Sequence, residues 1–405
     1  MALESLATPP IHLDGTTLEG GGQLLRLALG LSSLTKKSIN ITNIRGRRHG
    51  GGGLKSQHLT CVQWLGNACN ARISDVGLKS KEVTFVPGGK GASTTIDLEV
   101  GDVRIHQSTP GSVNLILQAI LPFLLFSNAN EKIRVRITGG TNVSNSPSYD
   151  YITQVLIPML HLIGLPRIEA ELHSRGWSQG STRLGGVTYT ITPVTTKLPA
   201  FQLLDRGSIR SVKATILAPK NTEQLFRDEL NVMFERRESR IFGTTSIKDP
   251  EIDITFEDSH HDKRYYLLLV ATTTTGIKLG RDWLYDQGVR AGKLEKIVPT
   301  VVKKVSDDLL AEVEHGGCVD EFLRDQLVVF QALAEGRSQV YGGKRKDVLV
   351  EPSLHAKTAQ WVAQRIVGVE FDAEGGCEGI AFCPGETDED GDLADSMVQL
   401  ELTES

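Results

Sequence analysis

Apolar residues over 22–34 recur at the three- and four-residue spacing that buries one face of a helix. A β-like run follows at 39–45, then a second helical pattern at 54–69, then β-like runs at 71–74, 82–86 and 94–98. The same order returns with a helix near 111–126, a strand at 132–138, a helix at 148–163 and strands near 167–173 and 186–192. A third passage starts late, with helix 320–334, short strand 347–350, helix 354–366 and closing strands 367–371 and 379–382. Three units of like order predict an α/β (α+β) body with pseudo-threefold layout.

Between the second and third units the pattern changes to a helix near 222–235, strands at 252–256 and 265–272, and a long helix near 294–315. That stretch is long enough for a core of its own. The expected organisation is a large domain over 1–195 and 316–385, an inserted smaller α/β domain over 196–315, and an acidic, solvated tail over 386–405.

Composition narrows the class. The 405 residues carry 44 Lys and Arg against 49 Asp and Glu, a net charge of −5, which argues against a protein that coats nucleic acid nonspecifically. Basic residues are nonetheless dense in RGRRHGGGGLK, from Arg45 to Lys55. The longest apolar run, 115–126, is interrupted by Gln118 and falls short of the ~18–20 residues of a membrane span, so no membrane partner is expected. The start, MALESLATPP, lacks the pattern of a signal peptide, and the five cysteines form no CxxC pair. These features predict an intracellular protein without a structural zinc site.

Three segments could carry chemistry. DGTTLEGGGQLLRLAL sets Glu19 and a glycine run before a helix that begins with Gln23 and Arg26. Glycines admit a ligand close to the backbone and helix-start N–H groups favour an anion, although a tight turn would read the same way. It is not a Walker A loop, having no Gly-x4-Gly-Lys-Ser/Thr. IRGRRHGGGGLKSQHL brings Arg45, Arg47, Arg48, Lys55, Gln57 and His58 around a flexible loop, either a phosphate site or a solvated basic one. EPSLHAKTA places His355 at a helix opening, where the imidazole favours its neutral, nucleophilic form, and Asp325 in EFLRDQLV could orient it. A capping histidine and a solvated aspartate are the plainer readings.

EGGGQ (19–23), IRGRR with QHLT (57–60), FLRDQL (322–327) and PSLHAKTA (352–359), in this order, resemble the RNA 3'-terminal phosphate cyclase family. The resemblance implies three βαβαββ-like units with an inserted α/β domain. It implies ATP as a substrate, a divalent metal such as Mg2+, and an RNA 3'-phosphate end as partner. His355 matches the nucleophile that takes AMP, and Asp325 the carboxylate that orients it. Glu19, Gln23, Arg26, Arg45, Arg48, Gln57, His58 and Gln118 match nucleotide- and phosphate-lining positions, with Glu19 also the candidate metal ligand. Phe322 stands where the family often has tyrosine, which keeps a stacking face and loses a hydroxyl. The chain departs from the pattern at glycines 50–53, at Asn142, where aspartate is common, and across 175–186. The product implied is a 2',3'-cyclic phosphate. The location implied is the nucleus in a eukaryote and the cytoplasm otherwise. A non-cyclising branch of the family, acting in ribosomal RNA assembly, lacks the histidine that is present here. Enolpyruvyl transferases have more repeats and would leave His355 and QHLT unexplained.

Overall fold

A computed structural model describes residues 9–48, 50–88, 102–243, 251–288 and 294–385. The expected strand 94–98 and the acidic tail lie outside these residues.

The first unit runs β1 (Ile11–Asp14), α1 (Gly22–Thr35), β2 (Ile39–Thr42), α2 (Ser56–Ala68), β3 (Arg72–Ile73) and β4 (Val83–Val86). Its sheet has the order β1-β2-β4-β3, with β1 and β2 parallel and the other pairs antiparallel. The second unit repeats this with β5 (Asp102–His106), α3 (Val113–Leu125), β6 (Ile133–Gly139), α4 (149–162, with a π-helical turn at Ile152–Leu156), β7 (Glu169–Ser174) and β8 (Gly185–Ile191). Its sheet order, β5-β6-β8-β7, is the same. Apolar residues surround α1 and α3 almost completely, so both helices run through the interior, α1 packed on α3. Gly30 lets them approach: a Cβ there would lie 3.0 Å from the Ala119 carbonyl oxygen.

The third unit is interrupted. Its first strand, β9 (Gln202–Leu203), precedes the insertion, which consists of β10 (Ile209–Ala218), α5 (Glu223–Phe242), β11 (Glu251–Asp258), β12 (Tyr266–Thr273), β13 (Lys278–Leu284) and α6 (Leu294–Glu314). The unit then resumes with α7 (Glu321–Leu333), β14 (Glu335–Val340), a hairpin of β15 (Lys344–Arg345) and β16 (Val348–Leu349), α8 (Leu354–Val367) and β17 (Gly376–Ile380). β9 pairs parallel to β14, and β14 antiparallel to β17. Residues 202–203 therefore belong to the body's third sheet, several residues past the boundary read from sequence at 195. The short strand expected at 347–350 is one arm of the side hairpin, and β14 takes its place in the sheet. Glycine and polar residues in EGRSQV hide β14 from a hydrophobic pattern.

In the insertion, the sheet β11-β10-β12-β13 carries α5 and α6. Its β13 edge meets α4, where a Cβ on Gly280 would lie 2.6 Å from Val155 Cγ2 and 3.0 Å from the Tyr151 ring. The apolar interior is continuous from body to insertion. No helix among the described residues is long and apolar enough to cross a membrane.

Asp320 is the polar pin of this junction. It caps α7 by accepting from Leu323 N–H at 2.8 Å, and also accepts from the Tyr151 hydroxyl at 2.7 Å and Gly280 N–H at 2.7 Å. Three elements thus converge on one fully buried carboxyl. Asp320→Ala leaves those donors unsatisfied, and the expected loss is roughly 3–5 kcal/mol of unfolding free energy, measured by chemical denaturation.

Candidate active site

The glycine turn is packed from both sides by side chains, which explains why no larger residue stands there. Glu19 folds back so that its carboxylate accepts from Gly21 N–H at 2.7 Å and pairs with Arg48. A Cβ on Gly21 would overlap that carboxylate and lie 2.6 Å from Arg48 Nε. On Gly22 it would sit 2.6 Å from His58 Nε2 and 2.7 Å from Arg26 Nη1. The Glu19 N–H donates to Thr358 Oγ1 at 3.1 Å, and the Thr358 hydroxyl donates to the Leu354 carbonyl at 2.7 Å. These bonds tie the first unit's turn to α8, the helix that carries His355.

Below the turn, Arg26 of α1 is buried and fixed by two amides. Its Nε donates to Gln118 Oε1 of α3 at 2.8 Å and its Nη2 to Gln23 Oε1 at 2.9 Å. Burial lowers its affinity for the proton to a pKa of about 10, which leaves it charged at neutral pH. His58 of α2 is also buried. Its Nδ1 accepts from Lys55 N–H at 3.1 Å, which leaves the proton on Nε2, directed at Gly22. Burial, with Arg26, Arg45 and Lys55 nearby, pushes its pKa down to about 3, so it is a neutral donor.

The basic loop divides in two. Arg45 adopts a left-handed conformation (φ 56°) and its Nη1 donates to the Gly53 carbonyl at 3.1 Å, so it pins the glycine loop as well as charging the pocket. Arg48 is half exposed and reaches Glu19 from the rim. Gln57 accepts from Ser112 N–H at 3.1 Å, joining α2 to the start of α3.

His355 is the second residue of α8, whose Ser353 cap accepts from Ala356 N–H at 3.2 Å. Its Nε2 lies 3.9 Å from Glu19 Oε1. Burial, then Arg26 and Arg48, hold its pKa below the ordinary histidine value, while Glu321 opposes them. The imidazole is therefore neutral at pH 7 and half exposed. Asp325, expected to orient it, makes no hydrogen bond to His355. It lies buried near Arg26, and burial raises its pKa to about 8. The carboxylate beside His355 is Glu19, brought there by the turn and not by α7. Gln23 Nε2 and Asp325 Oδ1 are buried without hydrogen-bond partners, which leaves polar capacity here for a water or a ligand to fill.

Phe322 projects from α7 one turn before Asp325 and is 38% exposed. The segment 175–186, in contrast, is occupied elsewhere. Arg175 donates to both oxygens of Asp150 (2.8 and 3.0 Å), to Asn142 Oδ1 (3.2 Å) and to Glu257 of β11 (2.6 and 2.8 Å). Asn142 and this segment fasten the second unit to the insertion. Thr358 was the site residue least visible in sequence, its signal being only a position one turn beyond His355.

The assembled cluster sets buried Arg26, His58 and Asp325 beneath the Glu19 turn, with Arg48 and the His355 imidazole on its exposed side, an arrangement of cations and N–H donors suited to a polyphosphate. Residues 17–373 match the family described as RNA 3'-terminal phosphate cyclase. The chain belongs to the RNA 3'-terminal phosphate cyclase family. Among its relatives, the RNA 3'-terminal phosphate cyclase of Pyrococcus furiosus is 30% identical over 367 residues, covering 90% of this chain and 96% of that protein. That of Caldivirga maquilingensis is 32% identical over 334 residues, covering 81% and 86%. Within the family the matched range takes in all the residues of the pocket, from Glu19 to Thr358.

Proposed function

We propose that the chain uses ATP to convert an RNA 3'-terminal phosphate to a 2',3'-cyclic phosphate, acting inside the cell. The observation that carries this reading is the half-exposed His355 imidazole at the capped start of α8, its Nε2 3.9 Å from Glu19, whose turn packs against Arg48, Arg26 and His58. In the first step His355 Nε2 attacks the α-phosphorus of ATP. A P–N bond forms, the bond to pyrophosphate breaks, and pyrophosphate leaves. Arg26, held by Gln23 and Gln118, and the His58 Nε2–H stabilise the charge that moves onto the phosphates, with Arg45 and Arg48 on the outer side.

An oxygen of the RNA 3'-phosphate then displaces His355 from the adenylate, forming a diphosphate linkage. The vicinal 2'-hydroxyl attacks the 3'-phosphorus, loses its proton, closes the ring and expels AMP. Activation is needed because an unmodified phosphate would have to expel hydroxide or oxide, whereas AMP is a far better leaving group.

A divalent metal fits this pocket only in part. Among the described residues no three His, Cys, Asp or Glu side chains cluster, and Glu19 is the carboxylate paired with the imidazole. Glu19 would hold Mg2+ together with the phosphates of ATP, as is usual for that ion, and the metal would supply charge neutralisation.

The test is to incubate the protein with ATP and an RNA oligonucleotide ending in 3'-phosphate. The end is expected to become resistant to phosphatase; an end that stays sensitive, on protein shown to bind the RNA, would point to a non-cyclising role in RNA assembly. Gly22→Ala checks the pocket itself. The added methyl presses on His58 and Arg26, and ATP affinity is expected to fall by about tenfold, the result of ~1–3 kcal/mol of overpacking. Isothermal titration measures it.

A further inference from the structure

The insertion reaches the edge of the site through one side chain. Arg281 of β13 lays its guanidinium over the Phe322 ring, with Cζ 4.6 Å from the ring centroid. Tyr151 of α4 meets the same ring edge-on at 5.9 Å. Phe322 is thereby contacted from two sides and is still 38% exposed, one turn before Asp325, so part of the ring is accessible to a ligand.

The guanidinium itself lies between two carboxylates. Arg281 Nη2 donates to Glu321 at 3.0 Å and its Nε lies 3.4 Å from Glu312 Oε1. Glu312 is buried and fixed in turn by His315, whose Nε2 stands 2.7 Å away. His315 Nδ1 accepts from Gly317 N–H at 3.0 Å, which leaves its proton on Nε2 and makes it the donor to Glu312. A chain of contacts therefore runs from the end of α6 through Glu312 and Arg281 to the ring.

We propose that Arg281 is a positioning residue for the nucleotide: it backs the Phe322 ring so that the accessible part of the ring stacks on the base of ATP. This rests on the ATP-dependent reading given above. A cation behind an aromatic ring draws on the negative charge of its π-face. The opposite face then repels the electron-rich face of a purine less, and the ring cannot turn away. The insertion thus contributes to the base end of the nucleotide, while the first unit holds the phosphates.

The test is equilibrium binding to the full chain of two probes, an ATP analogue with a methylene between the α- and β-phosphorus, and inorganic triphosphate. Arg281→Met keeps much of the stem and removes the charge. It is expected to weaken the ATP analogue by about fivefold, in the range of a cation–π contact, and to leave triphosphate binding unchanged. Arg281→Lys should fall between the two. In a Phe322→Leu background, Arg281→Met should cost less than twofold, because the ring it acts through is gone. A general structural role for Arg281 predicts equal losses for both probes and a full effect without the ring, and either result overturns the proposal. So does an unchanged affinity for the ATP analogue in Arg281→Met. If Phe322→Leu does not fold, the triphosphate comparison decides alone. Wild-type protein that binds triphosphate but gains nothing from the adenosine would overturn this inference and leave the phosphate pocket standing, whereas failure to bind either probe would overturn both readings.

Discussion

Protein carrying His355→Ala is expected to bind ATP and yet to hold no AMP. Wild-type protein incubated with α-labelled ATP and magnesium should carry acid-labile label, consistent with a phosphoramidate, and the variant should carry none. The fold should survive, because His355 is half exposed at a helix start that Ser353 caps independently. A melting temperature within a degree or two of wild type, with label absent, is the expected pair of results. Label retained on His355→Ala would sink the assignment. The pH dependence follows from the depressed pKa of His355. The lowered pKa keeps the imidazole neutral through neutral pH, so labelling should fall only in acid solution as the imidazole protonates, with its midpoint below the usual histidine value of ~6.5. A decline centred above pH 7 would contradict the influence of Arg26 and Arg48 on that ring.

A second all-or-none result is expected from the RNA. An oligonucleotide with a 3'-phosphate and a 2'-deoxy terminal sugar should accept AMP and stop, since the nucleophile of ring closure is missing. The matched ribose end should proceed to the cyclic phosphate and release AMP. Electrophoresis of end-labelled oligonucleotides separates the two. On the proposed reading a terminus is held by a few phosphate contacts, and the chain is acidic overall, so binding should weaken only gently with added salt. A cyclic product from the deoxy end would exclude the 2'-hydroxyl as the attacking group.

Much of the body's helical content was legible because apolar residues recurring at helical spacing announce themselves. α1, α2, α3 and α8 fall within a residue or two of their expected limits. Several strands were missed, β1, β5, β9 and β13 among them, and β10 and β14 for opposite reasons. β10 mixes exposed and buried positions across a bulge at its start, whereas β14 has few apolar residues and owes its place to pairing with β9 and β17. Local sequence does not encode a partner more than a hundred residues away. The site shows the same division. Its glycines, arginines and His355 sit in dense local motifs, but the neighbour of His355 is set by tertiary packing. Asp325 was the natural choice from its motif, and the turn put Glu19 there instead. Arg281 stands in no motif at all.

The hydrogen bond between the Glu19 N–H and Thr358 Oγ1 joins residues 339 positions apart in the chain. During synthesis, the turn at Glu19 leaves the ribosome well before α8, so this hydrogen bond closes only after the intervening residues have emerged. On the proposed reading, a nascent chain can bury much of its first two units before the His355 imidazole stands beside the residues that would hold ATP, and a chain terminated before α8 would keep those arginines without the proposed nucleophile.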